Sequence, residues 1–481
     1  MSLHLYDTRT RRVRPFEPLR PGHVGVYVCG PTVQSAPHVG HLRSAVAFDL
    51  LRRWLLASGF TVTYVQNVTD IDDKIIVNAE REGVSVWELA TRETRSFDEA
   101  YRAVGVLPPT IQPRATAHIP EMFALITDLI TAGYAYEGGG SVWFRVGRFA
   151  DYGALSNQRP GAMQASPETE SGKEDPRDFA LWKAAKPGEP AWESPWGSGR
   201  PGWHLECSAM AGKYLGEVFD IHGGGLDLVF PHHENERAQT VCGSAARAHG
   251  GASEPEMARY WMHAGLLTTG GTKMSKSLGN SFFVTDVLTK VRPQVLRYHL
   301  LSAHYRSSLE YSADALTESA AAHDRVETFV RNALDILGGP EAAETLAAEA
   351  AGAVAPDAIW GEFAAALDDD LAASRALAAL FAGVAQGNLV LSKAHSRELA
   401  AWLAVVRRML TVLGLDPVTQ WPDAGGRLRP ALEGVMEIVL DLRSSARSRR
   451  DYAEADSIRA RLGAAGIVVD DTPEGQRWHL A

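Results

Sequence analysis

A strand–helix–strand pattern near the N-terminus constrains the fold more than any other feature of this sequence. Residues 24–29 form a short apolar run that predicts a buried strand. A Gly-Pro turn follows, and apolar residues then recur at helical spacing from about His41 to Leu56. A second strand is predicted at Thr61–Val65. Because a helical crossover joins strands that run in the same direction, this pattern predicts an α/β domain with a parallel sheet.

The next part of the chain predicts an insertion into that sheet domain. Residues 84–135 have mostly helical patterns, whereas short strands are predicted around Val142–Val146. The polar run Ser166–Arg177 predicts a mobile loop. The α/β pattern returns near Glu217–His222 and again at Tyr260–Leu267.

After Lys290 the sequence is mainly helical. Residues Gly338–Pro356 are rich in Ala, Gly and Glu and predict a solvated linker, with further helices from about Asp357 to Leu413. Several Pro and Gly residues mark a boundary at Leu415–Pro430. The last fifty residues predict a long helix, a second helix and a short β end, which is a small α+β domain.

Length and composition narrow the class of protein. A chain of 481 residues is too long for one core and suggests about three domains. The net charge of -10 excludes a uniformly basic surface, so any nucleic acid must bind to local basic patches. We find no apolar run near the ~18 residues of a membrane span and no signal peptide. Three scattered cysteines indicate a reducing cytoplasm rather than a disulfide framework.

Two histidines lie where the first strand meets the first helix, in His38-Val39-Gly40-His41. A helix N-terminus attracts phosphate through free N–H groups and its partial positive charge. Gly40 would let a nucleotide approach the backbone, and His38 and His41 would donate to phosphoryl oxygens. The alternative is that both are surface or capping histidines.

A second cationic segment supports the phosphate interpretation. In Lys273-Met-Ser-Lys-Ser-Leu-Gly-Asn280, Lys273 and Lys276 stand among small residues. Such a loop would neutralise a triphosphate and its leaving pyrophosphate. The alternative is a solvated basic turn. The chain has no Walker A sequence.

A glycine triplet follows a strand-like stretch in His222-Gly-Gly-Gly-Leu-Asp227. Gly223 and Gly225 would let the backbone approach a base or ribose of ATP, and Asp227 would accept hydrogen bonds from ribose hydroxyls.

His232 and Glu236 are four residues apart, which places both on one face of a helix, as in metal-binding pairs. Cys29 and Cys207 would complete a Cys/Cys/His/carboxylate set that suits zinc. The alternative is that both cysteines are buried core residues. We expect His233 and Glu234 to be supporting or solvated residues, and Cys242 to be structural.

Basic residues cluster in two places. Arg292, Arg297, His304 and Arg306 follow the lysine segment and predict phosphate contacts. In the last domain, Arg447, Arg449 and Arg450 belong to a longer arginine-rich stretch that includes Arg443. Tyr452 and Trp478 would stack on unpaired bases. The alternative for the last stretch is a solvated basic helix.

Seven ordered motifs resemble those of the cysteinyl-tRNA synthetases, which are class I aminoacyl-tRNA synthetases. They are Tyr27–Val33, His38–His41, Asn67–Lys74, Gly202–Met210, Asp220–Gly225, Phe230–Glu236 and Lys273–Asn280. The resemblance implies activation of L-cysteine with ATP and its transfer to tRNA(Cys). It implies one Zn²⁺ held by Cys29, Cys207, His232 and Glu236, with Thr69, Trp203 and Asp227 lining the cysteine and adenylate pockets. We expect Mg²⁺ to accompany ATP.

The same resemblance implies a domain order. A Rossmann-type catalytic domain would span residues 1–265, with a connective insertion at about 115–200. A stem-contact subdomain carrying the lysine loop would span 266–315, a helical domain 316–415, and an anticodon-binding domain 425–481. We expect a cytoplasmic monomer. Gln34 and Ser35 stand where the family commonly has Tyr-Asp, which affects the pocket rim.

Three other functions share parts of this pattern. They are a ligase joining cysteine to an amino sugar, a plain nucleotidyltransferase, and a non-catalytic paralogue that binds RNA or cysteine. The arginine-rich tail argues against the first, the Cys/His/Glu set against the second, and the intact His38, His41, Lys273 and Lys276 against the third.

Overall fold

A computed structural model describes residues 3–158, 172–247, 256–273, 282–349, 356–391, 396–419, 421, 428–472 and 475–480. The chain divides into two compact units, Met1–Pro422 and Asp423–Ala481. The predicted subdomain bounds inside the first unit stay predictions.

The first unit begins with α/β structure that follows the predicted order. Its elements up to the middle of the chain are β1 (His4–Asp7), β2 (Arg12–Pro15), β3 (His23–Val28), α1 (Val39–Ala57), β4 (Thr61–Gln66), α2 (Asp73–Glu82), α3 (Val86–Ala103), α4 (Ile119–Thr131), β5 (Ala135–Gly138), β6 (Ser141–Phe144), β7 (Phe179–Ala184), β8 (Gly199–Pro201), α5 (Trp203–Leu215), β9 (Phe219–Gly225), α6 (Glu234–Arg247) and β10 (Ala258–Ala264).

A four-stranded sheet with the order β10-β9-β3-β4 forms the centre of this unit, and every neighbouring pair in it is parallel. Val24, Val26 and Val28 of β3 are buried, as expected for an inner strand covered on both faces. The predicted β-α-β unit and the α/β fold class are confirmed. In a parallel sheet all carboxyl ends meet at one edge, and this edge positions the candidate site.

The predicted short strands between residues 136 and 195 belong to a separate antiparallel sheet. Strands β5-β6-β7-β8 pair in sequence order, and the indole rings of Trp143 and Trp182 are fully buried. Lys183 and Arg200 of this sheet form ion pairs with Asp73 at the start of α2. The polar run Ser166–Arg177 lies partly outside the described residues.

The rest of the first unit is a small sheet followed by helices. The elements are β11 (Leu267–Thr269), β12 (Thr272–Lys273), α7 (Val284–Leu288), α8 (Pro293–Leu301), β13 (Leu309–Glu310), α9 (Ala313–Leu337), α10 (Pro340–Glu349), α11 (Pro356–Asp368), α12 (Ala373–Leu391) and α13 (Ser396–Leu413). The order β12-β11-β13 defines the small sheet.

The prediction of a solvated linker at Gly338–Pro356 was wrong for its first half. Gly338 and Gly339 end α9 with positive φ angles of 83° and 105°, and α10 then packs against α9 and α13 with Ala343 buried. Proline is favoured in the first turn of a helix, and Ala, Glu and Leu propagate it. The low complexity of the segment therefore reflects high helix propensity.

Helix α12 is an apolar segment that the search of the sequence for membrane spans did not identify. By length and composition alone, Ala373–Leu391 is apolar enough to cross a membrane, and 44% of its most apolar window is buried inside the protein. Its buried stripe, which includes Leu377, Leu380 and Val384, packs against α11 and α13. This is the pattern of a core helix within a bundle.

The second unit contains α14 (Leu428–Ser448), α15 (Tyr452–Ala464) and the antiparallel pair β14 (Ile467–Thr472) and β15 (Gly475–Leu480). Its small core is formed by Met436, Ile467 and Val469. This arrangement confirms the predicted α+β order of the last fifty residues.

A buried ion pair connects α1 to the helical half of the first unit. Arg297 of α8 is fully buried, and its guanidinium donates to Asp49 of α1 at 2.5 Å. It also donates to the carbonyl oxygens of Val104 at 3.0 Å and Leu413 at 2.8 Å. Removing one member would leave buried polar groups without partners.

We therefore expect Arg297→Ala to lower the free energy of unfolding by about 3–5 kcal/mol, measured by urea denaturation. Arg292→Ala is the matched control, because Arg292 forms ion pairs with Asp324 and Glu327 at the surface. Its expected cost is below about 1 kcal/mol. Equal costs for the two variants would contradict the role assigned to burial.

Candidate functional site

The carboxyl edge of the parallel sheet gathers residues from several distant segments. Cys29 directly follows β3 and its N–H donates to the carbonyl oxygen of Gly223 in β9 at 3.0 Å. Asn67 directly follows β4, the other neighbour of β3. Helix α1 starts from the same edge, with His38 at its N-cap. Ligands bind at this edge in open α/β sheets.

Cys29, Cys207, His232 and Glu236 meet at this edge, with their ligand atoms all within 4.8 Å of one another. Cys29 Sγ lies 3.2 Å from Glu236 Oε1, and His232 Nε2 lies 3.0 Å from the same oxygen. Neighbouring ligand atoms of a tetrahedral zinc ion are about 3.5 Å apart, given its bond lengths. The four side chains therefore fit a metal ion of this kind.

A second possible donor set shares two of these residues. Cys29, His222, His233 and Glu236 also bring their ligand atoms within 4.8 Å of one another. His222 Nε2 lies 2.9 Å from Glu236 Oε2, and His233 Nδ1 lies 2.8 Å from His263 Nε2. His233 is fully buried, and so is Glu234, which accepts from Ser156. The prediction that these two are supporting residues fits this arrangement, whereas solvation does not.

Burial controls the charge state of this cluster. It lowers the pKa of His232 to about 3, despite the opposing effect of Glu236, so the imidazole is neutral at pH 7. It also raises the pKa of the Cys29 and Cys207 thiols. Burial alone would raise the pKa of Glu236, but His232 and His222 hold it below its ordinary value. A bound metal ion would displace the thiol protons.

His232 also has the outer partner that metal-binding histidines usually have. Its Nδ1 lies 2.9 Å from Nδ1 of His204, while its Nε2 faces Glu236. The Trp203 indole stacks on the His232 ring, with centroids 4.3 Å apart and planes at 22°. Such outer contacts fix the ring orientation of a ligand.

Asn67 is a site residue to which the sequence assigned no role. Its side-chain oxygen accepts from the Gly30 N–H at 2.8 Å and from the Cys207 thiol at 3.6 Å. Its amide nitrogen donates to the Thr69 hydroxyl at 3.2 Å. The sequence signal that could have identified Asn67 is its position: it is a polar residue directly after a buried strand, at the carboxyl edge of the sheet. His222 was likewise missed as a partner of Glu236.

The two histidines at the start of α1 lie together. The rings of His38 and His41 stack with centroids 3.8 Å apart, and the His38 N–H donates to His41 Nδ1 at 3.1 Å. A Cβ on residue 40 would lie 2.9 Å from the His38 ring, so Gly40 is required for this ring position. The histidines do cap the helix, and the capping alternative is thus compatible with a role toward phosphate.

Backbone pairing holds Lys273 at the start of the lysine segment and residues 282–284 beyond its end. The backbone of Lys273 ends β12, which pairs with β11. On the other side, the Val39 N–H donates to the carbonyl oxygen of Phe282, and the Val284 N–H to that of Pro37, both at 3.0 Å. Residues 282–284, which follow the lysine segment, thus lie at the N-terminus of α1. Lys276 lies outside the described residues, as does the side chain of Lys273.

The remaining predicted pocket residues have clear structural surroundings. Thr69 is buried and its backbone bridges to Thr32. A Cβ on Gly223 would lie 2.2 Å from the Phe48 ring of α1, and one on Gly225 would lie 2.6 Å from Asp227 Oδ1. Close packing of α1 on β9 thus accounts for Gly223, and its predicted contact with ATP stays a prediction.

The prediction that basic residues after the lysine segment contact phosphate was wrong for Arg297, and it stays a prediction for Arg292, His304 and Arg306. Arg297 is fully buried against Asp49. Arg306 is bound by Asp370 at 2.7 Å, and Arg292 by Asp324 and Glu327. Charge spacing in the sequence could not reveal these intramolecular partners.

In the second unit, the arginines differ in exposure. Arg443 is buried and binds Asp471, so its predicted contact with phosphate was wrong. The side chains of Arg447 and Arg449 are 45% and 62% exposed, and they bind Asp471 and Glu454. Trp478 packs partly against the core of this unit.

Comparisons with known proteins agree with this architecture. A family model for the catalytic domain of class I (C) tRNA synthetases matches residues 15–321, and one for the anticodon-binding domain of cysteinyl-tRNA ligases matches residues 429–478. A cysteine–tRNA ligase of Frankia casuarinae is 71% identical over the whole of both chains. One from Streptomyces avermitilis is 50% identical over 100% of this chain and 99% of its own.

Solved structures support the fold. Methionyl-tRNA synthetase from Mycobacterium tuberculosis, in complex with methionyl-adenylate, superposes with a TM-score of 0.60 at 16% identity. The match covers 82% of this chain and 92% of that one. A leucyl enzyme in complex with tRNA, from Agrobacterium radiobacter, gives 0.59 at 11% identity, covering 85% and 87%.

The parallel sheet, the histidines at the start of α1 and the catalytic-domain match together define a class I tRNA synthetase. Similarity over the full length and the match of the C-terminal unit identify the member of this class by its amino acid, which is cysteine. The chain belongs to the cysteine–tRNA ligase family, and its activity is the charging of tRNA with cysteine.

The contact between Gly30 and Asn67 leads to a stability prediction for the site. A Cβ on residue 30 would lie 1.6 Å from the carbonyl oxygen of Asn67. We expect Gly30→Ala to force β3 and the residue 67–69 loop apart and to lower the free energy of unfolding by about 2 kcal/mol or more, measured by urea denaturation.

Gly212→Ala is the control for this prediction. Gly212 lies inside α5, where an added Cβ meets no atom within 4 Å. Its expected effect is a stabilisation of up to about 1 kcal/mol, because alanine favours a helix interior. Unchanged stability in Gly30→Ala would show that the loop yields without cost.

Proposed function

We propose that this chain activates L-cysteine with ATP to form cysteinyl-adenylate and transfers the cysteinyl group to the 3′ end of tRNA(Cys), with Zn²⁺ selecting the substrate thiol. One observation carries the proposal. Two thiols, an imidazole and a carboxylate converge at the sheet edge from which the helix carrying His38 and His41 starts. The proposed site for the substrate thiol and the proposed site for the ATP phosphates therefore lie at the same strand ends.

The ATP step uses the start of α1 and the lysine segment. The cysteine carboxylate attacks the α-phosphorus of ATP, and pyrophosphate leaves. Positive charge and N–H donors stabilise the phosphoryl oxygens as their charge grows in the transition state. The residues proposed for this role are His38, His41, Lys273 and Lys276, with Mg²⁺ bound to ATP, and those proposed to contact the nucleotide are Gly40, Gly223, Gly225, Asp227 and Lys276.

For the metal ion we propose the set Cys29, Cys207, His232 and Glu236. It offers two sulfur donors, whereas the set with His222 and His233 offers one, and zinc binds thiolates strongly. His222 is already bonded to the second oxygen of Glu236, and it orients that carboxylate. When bound, Zn²⁺ would favour a thiolate over the hydroxyl of serine, a distinction that an apolar pocket makes poorly.

Thr69 and Trp203 are proposed to line the cysteine pocket. Trp203 stacks on His232, and Thr69 is bonded to Asn67, which also contacts Cys207. Both side chains therefore adjoin the proposed metal ligands. We infer that Trp203 limits the size of the pocket and that Thr69 orients the amino acid.

For tRNA we propose contacts from Arg447, Arg449, Arg450 and Trp478 in the unit matched by the anticodon-binding family. The exposed guanidinium groups of Arg447 and Arg449 support phosphate contacts, although each would exchange its carboxylate partner for phosphate. We further propose that residues 266–315 contact the acceptor stem, that 316–415 form a helical domain, and that the enzyme is a cytoplasmic monomer.

The metal proposal predicts that purified protein contains one equivalent of zinc and that Cys207→Ala contains much less. Zinc removal should abolish cysteine-dependent ATP–pyrophosphate exchange, because the substrate thiol loses the metal ion that binds it. ATP binding should survive. Elemental analysis, the exchange assay and calorimetric titration with ATP measure the three quantities.

Cys242→Ala is the matched control, since Cys242 is a buried cysteine outside both donor sets. It should retain zinc and exchange activity. Full cysteine activation in a verified zinc-free Cys207→Ala protein would refute the metal proposal.

The tRNA proposal predicts that replacing Arg447, Arg449 and Arg450 together with alanine weakens charging of tRNA(Cys) and leaves pyrophosphate exchange intact. Each lost phosphate contact should also reduce the salt dependence of tRNA binding by about one unit of slope. Charging assays and tRNA binding at several salt concentrations test this. Unchanged charging would exclude these arginines as contacts.

A further inference from the structure

A buried arginine lies two residues after His41 in the first turns of α1. Arg43 is only 2% exposed. Its guanidinium donates to the carbonyl oxygens of Leu300, His304 (2.6 Å) and Ser307 (3.2 Å), and at 3.5 Å to that of Ala303. All four acceptors belong to the end of α8 and the turn that follows it.

These partners are unusual for a buried charge. Within the part of the chain that the structure describes, the hydrogen bonds of Arg43 go only to main-chain carbonyls, and it forms no ion pair. Burial lowers the pKa of its guanidinium to about 10, so the group is still charged at pH 7. The carbonyls at a helix C-terminus lack partners within the helix and carry partial negative charge. Arg43 therefore joins α1 to the last turn of α8 through Leu300, and to the turn after α8 through Ala303, His304 and Ser307.

The turn bound by Arg43 leads directly into the small sheet. β13 follows at Leu309–Glu310 and pairs with β11, and β11 pairs with β12, which ends at Lys273. The turn also packs closely against Gly265, because a Cβ on that residue would lie 2.4 Å from the carbonyl oxygen of Ser307. A shift at the Arg43 contact would thus move the sheet that carries Lys273.

The other end of the connection is the phosphate-binding turn proposed above. Arg43 and His41 share the first turns of α1, and His38 caps that helix. Backbone bonds between Pro37–Val39 and Phe282–Val284 hold the same turn from the other side. The partners of Arg43 and the partners of Pro37–Val39 thus both belong to the part of the chain between Lys273 and Leu309.

We propose that Arg43 is a positioning residue that fixes His38 and His41 relative to the sheet ending at Lys273, and so sets the spacing of the two halves of the ATP site. The inference rests on the proposed role of these histidines and lysines. The planar fork of arginine reaches several carbonyls at once, whereas lysine offers a single ammonium group. The position therefore requires arginine for geometry as well as for charge.

The test compares Arg43→Met and Arg43→Lys in the full-length protein. Cysteine binding, measured by calorimetry without ATP, counts folded sites, and pyrophosphate exchange per folded site gives kcat and KM for ATP and for cysteine. We expect Arg43→Met to raise the KM for ATP or lower kcat by about 10- to 100-fold, as misplacement of about 1 Å does. The KM for cysteine should stay unchanged, and Arg43→Lys should fall between Arg43→Met and the wild type.

Arg52→Met is the matched control. Arg52 belongs to the same helix and donates to one main-chain carbonyl, that of Pro108, away from the turn after α8. It should leave both KM values unchanged. A purely structural role for Arg43 would reduce the number of cysteine-binding sites while the kinetics per site stay normal, and that result would overturn the proposal.

Two further arms separate the possible failures. If Arg43→Met yields no cysteine-binding sites, Arg43→Lys decides, and an unchanged KM and kcat for ATP in that variant would overturn the proposal. His38→Ala tests the underlying ATP role. Full exchange in His38→Ala would remove the proposed function of the histidines and this inference with it, whereas loss there beside normal Arg43→Met kinetics would overturn this inference alone.

Discussion

The Asn67 side chain makes the contact on which the candidate site most depends. β3 and β4 are neighbouring parallel strands, and backbone bonds between Pro31–Val33 and Thr69 continue this pairing beyond the strand ends. Asn67 accepts from Gly30 and Cys207 and donates to Thr69, so one amide joins both strand ends to α5. The absence of a side chain at Gly30 makes this approach feasible. Metal ligands from three segments can then converge.

Around that contact the site is built from buried polar groups, among which the imidazoles are neutral. The imidazoles of His204, His232 and His263 have pKa values lowered to about 3 by burial, so they serve as hydrogen-bond partners and not as cations. Glu236 is the buried carboxylate to which His222 and His232 are bonded. A buried charge of this kind needs a partner. A divalent cation together with these imidazoles would supply one.

The sequence predicted features that depend on neighbouring residues better than features that depend on residues distant in the chain. The β-α-β unit, the central strands and the order of the C-terminal elements follow from local periodicity and were confirmed. The first half of the Gly338–Pro356 segment was misassigned, because composition rich in Ala and Glu is common to linkers and to helices such as α10. Arg297 was misassigned, because its partner Asp49 is distant in sequence.

By itself the sequence determined the chemical types available to the site and the strands and helices that carry them. It also determined the family, through motifs in a fixed order. Residue spacing alone left open whether Cys29, Cys207, His232 and Glu236 share one site, and the tertiary structure brings them together. Only the tertiary structure showed that His222 is bonded to Glu236 and that Arg297 and Arg43 are buried. The physical reason is that helix and strand periodicity arise from neighbouring residues, whereas burial and convergence depend on how distant elements pack.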